Sequence, residues 1–137
     1  MLVDTGPLVS LFDPSDRDHE ACKHALGRLR SSRRVTSLAV VTEASYLLDF
    51  SAAARQALLA FIAAGGVEIA EFTAADISRA ATLMTKYASL PMDLADATLV
   101  VLAERLSTHT VFTLDRRDFG VYRVGRRAFR LLPSQLD

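Results

Sequence analysis

Val111-Phe112-Thr113-Leu114-Asp115 is a short apolar run closed by a carboxylate, and reading it as a buried strand decides the architecture. Val, Phe and Thr favour extended backbone, the run is too short for a helix, and polar sequence lies on both sides. Met1-Leu2-Val3-Asp4 repeats the pattern, an apolar run stopped by an acid. Arg34 to Thr36 and Val67 to Phe72 are weaker strand candidates, and Phe129 to Leu132 is a short final one.

Longer segments with helical spacing separate these runs. Pro7 to Phe12 follows a Gly-Pro turn, and Asp16 to Leu29 repeats Cys22, Ala25, Leu26 and Leu29 on one face. Ser37 is placed to cap Leu38 to Leu48, Ser51 to cap Ala52 to Ala64 before Gly65-Gly66, and Thr73 to cap Ala74 to Ala88 ahead of Pro91. A last helix is expected from Asp93 to Leu106. Strands alternating with helices predict an α/β fold, a three-layer sandwich whose mostly parallel central sheet is flanked by helices. The 137 residues are long enough for one domain and too short for two ordinary ones, so residues 1–137 are expected to form a single unit.

Composition narrows the function. Lys plus Arg and Asp plus Glu both number 16, so bulk charge makes no case for a nucleic-acid or membrane partner, and any such partner must be argued from patches. Cys22 is the lone cysteine, which excludes an intrachain disulfide and a thiolate metal site. The opening residues lack a basic n-region, and no apolar run approaches the roughly 18 residues of a membrane span. A cytoplasmic protein without membrane contact is expected.

Acids stand where solubility does not explain them. Asp4 and Asp115 fall at the carboxyl ends of predicted strands, where ligands bind in parallel sheets; taken singly, each is also an ordinary turn or capping residue. Glu43 is different, because Ala39, Val40, Tyr46 and Leu47 place it on an apolar stripe. Asp96 shares a helix face with Met92, Leu99 and Val100, and Asp93 lies on the same side, where it is also placed to serve as N-cap. Carboxylates gathered without a cation repel and raise one another's pKa, a conflict that a divalent metal removes. Oxygen ligation with no His or Cys nearby favours Mg²⁺ or Mn²⁺ over Zn²⁺. His19, His24 and His109 have no ligand spacing, and Cys22 reads as core.

Val3-Asp4-Thr5, Glu43 in a helix after Thr36-Ser37, Leu90-Pro91-Met92-Asp93-Leu94-Ala95-Asp96-Ala97 and Thr113-Leu114-Asp115-Arg116-Arg117-Asp118-Phe119 together resemble the PIN domain family, in size and order its VapC-like toxin ribonucleases. The resemblance spans nearly the whole chain, and the ordered set of acids carries it rather than any single motif. It implies a metal-dependent endoribonuclease with Asp4, Glu43, Asp96 and Asp115 as catalytic, metal-holding acids, Asp93 as an additional acid, and Thr5 and Thr113 as polar supports. It further implies an RNA substrate cut to a 5′-phosphate and 3′-hydroxyl, and a cognate antitoxin holding the enzyme inactive. Two features depart from the family pattern: only three residues precede Asp4, and Asp118 sets Phe119 one place beyond the simplest Thr-x-Asp-x-x-Phe spacing.

Basic clusters offer contacts for a polyanion. Arg116, Arg117, Arg123, Arg126, Arg127 and Arg130 form one group, and Arg28, Arg30, Arg33 and Arg34 another. Ala53, Ala57, Leu58, Ala60 and Phe61 spread around much of their helix, as a core element, an antitoxin groove or a homodimer face would require. Two other classes compete with a nuclease. One is a signalling or phosphoryl-transfer α/β domain phosphorylated at Asp4 or Asp115; neither Lys23 nor Lys86 follows a strand where it could meet a phosphoryl group. The other is a non-catalytic PIN-like module that binds RNA or protein, whose mark would be a missing acid.

Overall fold

A computed structural model describes residues 1–134. Its elements run β1 (Leu2–Val3), α1 (Thr5–Phe12), α2 (His19–Arg28), β2 (Val35–Thr36), α3 (Leu38–Leu47), α4 (Ala52–Ala63), β3 (Glu68–Ile69), α5 (Ala74–Lys86), α6 (Leu94–Leu106), β4 (Thr110–Phe112), α7 (Arg116–Phe119), β5 (Arg123–Val124), β6 (Arg127–Ala128) and β7 (Arg130–Leu132). Five strands make one sheet in the order β3-β2-β1-β4-β7. Every ladder in it is parallel: Leu2 pairs with Val35 and with Val111, Val3 with Phe112, Val35 with Glu68, and Phe112 with Leu132. The expected three-layer α/β sandwich is therefore the fold.

Successive residues of β4 show why a run with no polar alternation is stable. Val111 belongs to the large cluster that includes Leu99, Val100 and Leu102 of α6, whereas Phe112 joins Cys22 and Ala25 of α2 and Leu132 of β7. Adjacent strand residues point to opposite faces, so both faces are covered and both want apolar side chains. Helix α6 is buried without a break from Ala97 to Ala103, as a helix enclosed by its neighbours must be.

Local signals set most helix starts. Ser37, Ser51 and Thr73 accept the backbone N–H groups of Val40, Ala54 and Asp76, and Asp76 returns a bond to Thr73 in a capping box. Helix α2 begins at His19 rather than Asp16, because the Asp16 carboxylate accepts the Asp18 N–H and folds residues 16–18 into a turn. The strand expected over Val67 to Phe72 narrows to Glu68–Ile69, an exposed edge strand. Three elements were not expected. Helix α7 is a single turn, and β5 and β6 form an antiparallel hairpin turning at Gly125, whose φ of +62° suits glycine.

Helix α4 joins the core along one face only: Leu58 is buried in it and Ala54, Phe61 and Ile62 pack against it, while Ala53, Ala57 and Ala60 are exposed. No helix among the described residues is long and apolar enough to cross a membrane.

Candidate active site

Leaving β1 the chain moves to β2 on one side, while β4 enters on the other, so a crevice opens beyond the carboxyl ends of β1 and β4, at the point where the strand order reverses. Asp4 stands at its base. One carboxylate oxygen accepts the Thr5 N–H at 2.7 Å and caps α1, and the other accepts the Thr113 hydroxyl at 2.7 Å. Thr113 Oγ1 in turn accepts the Asp115 N–H at 3.0 Å. Gly6 lets α1 lie close to this segment, since a Cβ there would come 3.3 Å from Leu114 Cβ.

Thr113 is buried and serves both neighbours with one hydroxyl. Thr113→Val keeps the shape but deprives Asp4 of a donor and leaves the Asp115 N–H unpaired. It should cost about 1–3 kcal/mol of stability, read as a lower urea midpoint with unchanged slope.

Asp93 and Asp96 enter from the start of α6. Asp93 is the N-cap, accepting the Asp96 N–H at 2.8 Å, and Asp96 accepts the Tyr122 hydroxyl on Oδ2 at 3.0 Å. Asp115 caps α7 by accepting the Asp118 N–H at 3.0 Å. Glu43 reaches in from α3, a helix tied to α6 where Ser37 Oγ meets Thr98 Oγ1 at 2.7 Å, both buried. The stripe around Glu43 is not a core face as the sequence implied: Tyr46 is 75% and Leu47 47% exposed, so Glu43 lies at the border between cleft and open apolar surface.

Asp4, Glu43, Asp93, Asp96 and Asp115 thus line one cleft of about 540 Å³, together with Asp16 and Asp118. Among the described residues Asp96, Asp115 and Asp118 each offer an oxygen within 4.8 Å of the others. Asp118, which looked like a spacing irregularity, is therefore part of the acidic centre. Its signal was the Asp-x-x-Asp pattern that begins a capped turn.

The electrostatics follow from crowding acids at low solvent exposure. Burial is the main cause that pushes the Asp4 carboxyl up to about 6, with Asp115 and Asp93 adding to it and the bonds from Thr113 and Thr5 opposing it. Burial first, then Asp93 and Asp4, raise Asp96 to about 7, against the Tyr122 hydroxyl bond. Glu43 is also raised, by burial, Asp93 and Asp4, and Asp118 by burial and Asp115. Tyr122 is pushed far above the usual phenol range by burial and by Asp96, so it stays a donor. The site is a negatively charged cavity that protons or cations stabilise.

The family model described as PIN domain matches residues 1–126. Ribonuclease VapC26 of Mycobacterium tuberculosis is 38% identical over 136 residues, which cover 97% of this chain and 100% of that protein. Among solved structures, Mycobacterium tuberculosis VapC20, described as a Sarcin-Ricin loop cleaving toxin, matches with a TM-score of 0.75 at 20% identity, over 90% of this chain and 96% of that one. VapBC2 from Rickettsia felis, bound to a DNA fragment from their promoter, matches with a TM-score of 0.69 at 16% identity, over 95% and 96%. At such identities the two structures speak for the fold.

Proposed function

Because the chain belongs to the PIN domain family, we propose that it is a divalent-metal-dependent endoribonuclease that hydrolyses RNA phosphodiester bonds, the toxin of a toxin–antitoxin pair. The observation that carries the reading is the convergence of Asp96, Asp115 and Asp118 oxygens within 4.8 Å, beside the buried Asp4. A hard cation fits this donor set, which is all oxygen. Thr5 Oγ1, in the cleft wall, is buried without a hydrogen-bond partner among the described residues, a polar atom that a bound ion or its water shell would satisfy.

Asp4, Asp96, Asp115 and Asp118 would hold the ion, with Glu43 and Asp93 on the rim. A bound Mg²⁺ or Mn²⁺ supplies acidification of water and neutralisation of phosphate and leaving-group charge. The protein's share is positioning. Thr5 and Thr113 fix both oxygens of Asp4, the Asp93 cap fixes the start of α6, and the Ser37–Thr98 bond fixes α3 so that the Glu43 carboxylate can take the proton of the attacking water. Water rather than the ribose hydroxyl attacks, leaving a 5′-phosphate and a 3′-hydroxyl. Arg116 and Arg117 follow Asp115 directly on α7 and suit the flanking phosphates.

An antitoxin partner is supported by open apolar surface next to the acids. A groove lined by Ala39, Thr42, Glu43, Tyr46, Asp93 and Leu94 adjoins the cleft at Glu43 and Asp93, and Leu38, next to Ala39 in the chain, is exposed. The outward alanines of α4 suit a homodimer face. We take residues 1–137 as one domain acting in the cytoplasm.

The test is incubation of the purified chain with labelled structured RNAs. Cleavage is expected in Mg²⁺ or Mn²⁺, none in EDTA, and recovery when Mn²⁺ is restored. Cleavage that persists in EDTA overturns the reading.

A further inference from the structure

Tyr122 is fully buried, and its ring stands edge-on to Tyr87 and Phe119 at centroid distances of 5.0 and 5.1 Å. Packing alone would be served by Phe; what the tyrosine adds is a hydroxyl delivered to Asp96 Oδ2 at 3.0 Å. The backbone behind it is held on several sides. The Val121 and Tyr122 N–H groups bond to the Asp118 carbonyl, Arg123 Nη1 reaches the carbonyls of Gly120, Val121 and Tyr122 at 3.0 Å each, and the Arg123 N–H bonds to the Tyr87 hydroxyl. This turn descends directly from α7, which carries Asp115 and Asp118. One stretch therefore brings two acids to the cleft and a neutral donor to the third.

We infer that Tyr122 is a positioning residue for the Asp96 carboxylate, holding it through Oδ2 in the orientation that brings a carboxylate oxygen within 4.8 Å of those of Asp115 and Asp118. The inference rests on the proposed metal site. An aspartate free about its χ angles would lose ordering entropy on meeting a cation, and a donor held on one of its oxygens removes part of that cost in advance. A tyrosine hydroxyl suits the task because it donates without adding positive charge, so it does not compete with the cation as Arg or Lys would.

The experiment is Tyr122→Phe, which keeps both ring contacts, with Ser51→Ala, a lost hydroxyl cap on α4 outside the cleft, as the control for modest destabilisation and Asp96→Asn as the reference for the site. Mn²⁺ binding to each full chain is followed by calorimetry at 10 °C, where a modestly destabilised variant is still folded, and folding is checked by circular dichroism. Tyr122→Phe is expected to weaken Mn²⁺ about 10- to 100-fold, as loss of a ligand's supporting partner does, with Ser51→Ala near the parent. RNA cleavage by Tyr122→Phe should recover as Mn²⁺ is raised, with KM for RNA unchanged. Parent-like Mn²⁺ affinity in Tyr122→Phe, with Asp96→Asn defective, overturns the positioning role and leaves the metal site standing. Parent-like affinity in Asp96→Asn as well overturns the metal site itself.

Discussion

Asp96→Asn is expected to lower RNA cleavage by about 10³-fold, the equivalent of the several kcal/mol of charge stabilisation that a bound divalent ion supplies, while the metal-free protein melts at the same temperature or higher. The two effects have one cause. Asp96 is held up to about 7 chiefly by burial and by Asp93 and Asp4, so at neutral pH its negative charge works against folding until a cation arrives. The amide keeps the side chain's size and an oxygen for the Tyr122 hydroxyl but relieves the repulsion. If Asp96 were merely an acid in the first turn of α6, favourable to the helix dipole, its loss would cost about 0.3–1 kcal/mol and lower the metal-free melting temperature. Calorimetric melts of parent and variant in EDTA and in Mn²⁺, beside a cleavage assay, separate the cases. A large fall in the EDTA melt with undiminished cleavage would assign Asp96 to structure.

The second large effect is on pH. Asp4 rises from 3.8 to about 6 and Asp96 from 3.8 to about 7 on folding. A folded-state pKa above the unfolded value means the native protein holds the proton more tightly, so the stability from these groups is full below about pH 4 and lost as pH climbs through 6 and 7. Metal-free protein should therefore melt higher at pH 5 than at pH 8. Allowing for coupling between the acids and the partial solvent access of Asp96, the difference is on the order of 3 kcal/mol, or roughly 10 °C. Saturating Mn²⁺ should erase or reverse the slope, because the ion competes with protons for the same oxygens. Melting that is flat from pH 5 to 8 in EDTA would show that the acids are not crowded.

These charges also explain what could be read in advance. Asp4, Asp93 and Asp115 interrupt apolar sequence at places where a helix begins, and each does cap one: α1, α6 and α7. Capping and clustering are compatible because helix starts gather beyond the carboxyl ends of parallel strands, so residues chosen for a local bond also face the crevice. Ser37, Ser51 and Thr73 were legible for the same local reason. What escaped depended on tertiary placement. Helix α7 spans four residues, too few for any periodicity, which hid Asp118 as an acid of the cleft. Tyr122 sits in a stretch of turns with no repeating pattern, so nothing near it in sequence points to Asp96. The Glu43 stripe misled in the other direction: Tyr46 and Leu47 look like core and are exposed, since hydrophobic spacing fixes which side chains share a face without saying whether this chain covers that face.

The bond from Thr113 to Asp4 joins residues 109 positions apart, and the Ser37–Thr98 bond spans 61. Half of the acidic centre is therefore made late. A growing chain that has displayed Asp4, Glu43 and even Asp96 still lacks β4, Thr113, Asp115 and Asp118, and contacts so remote in sequence close slowly. Under the proposed activity the cleavage centre is complete only once β4 and α7 have docked against β1.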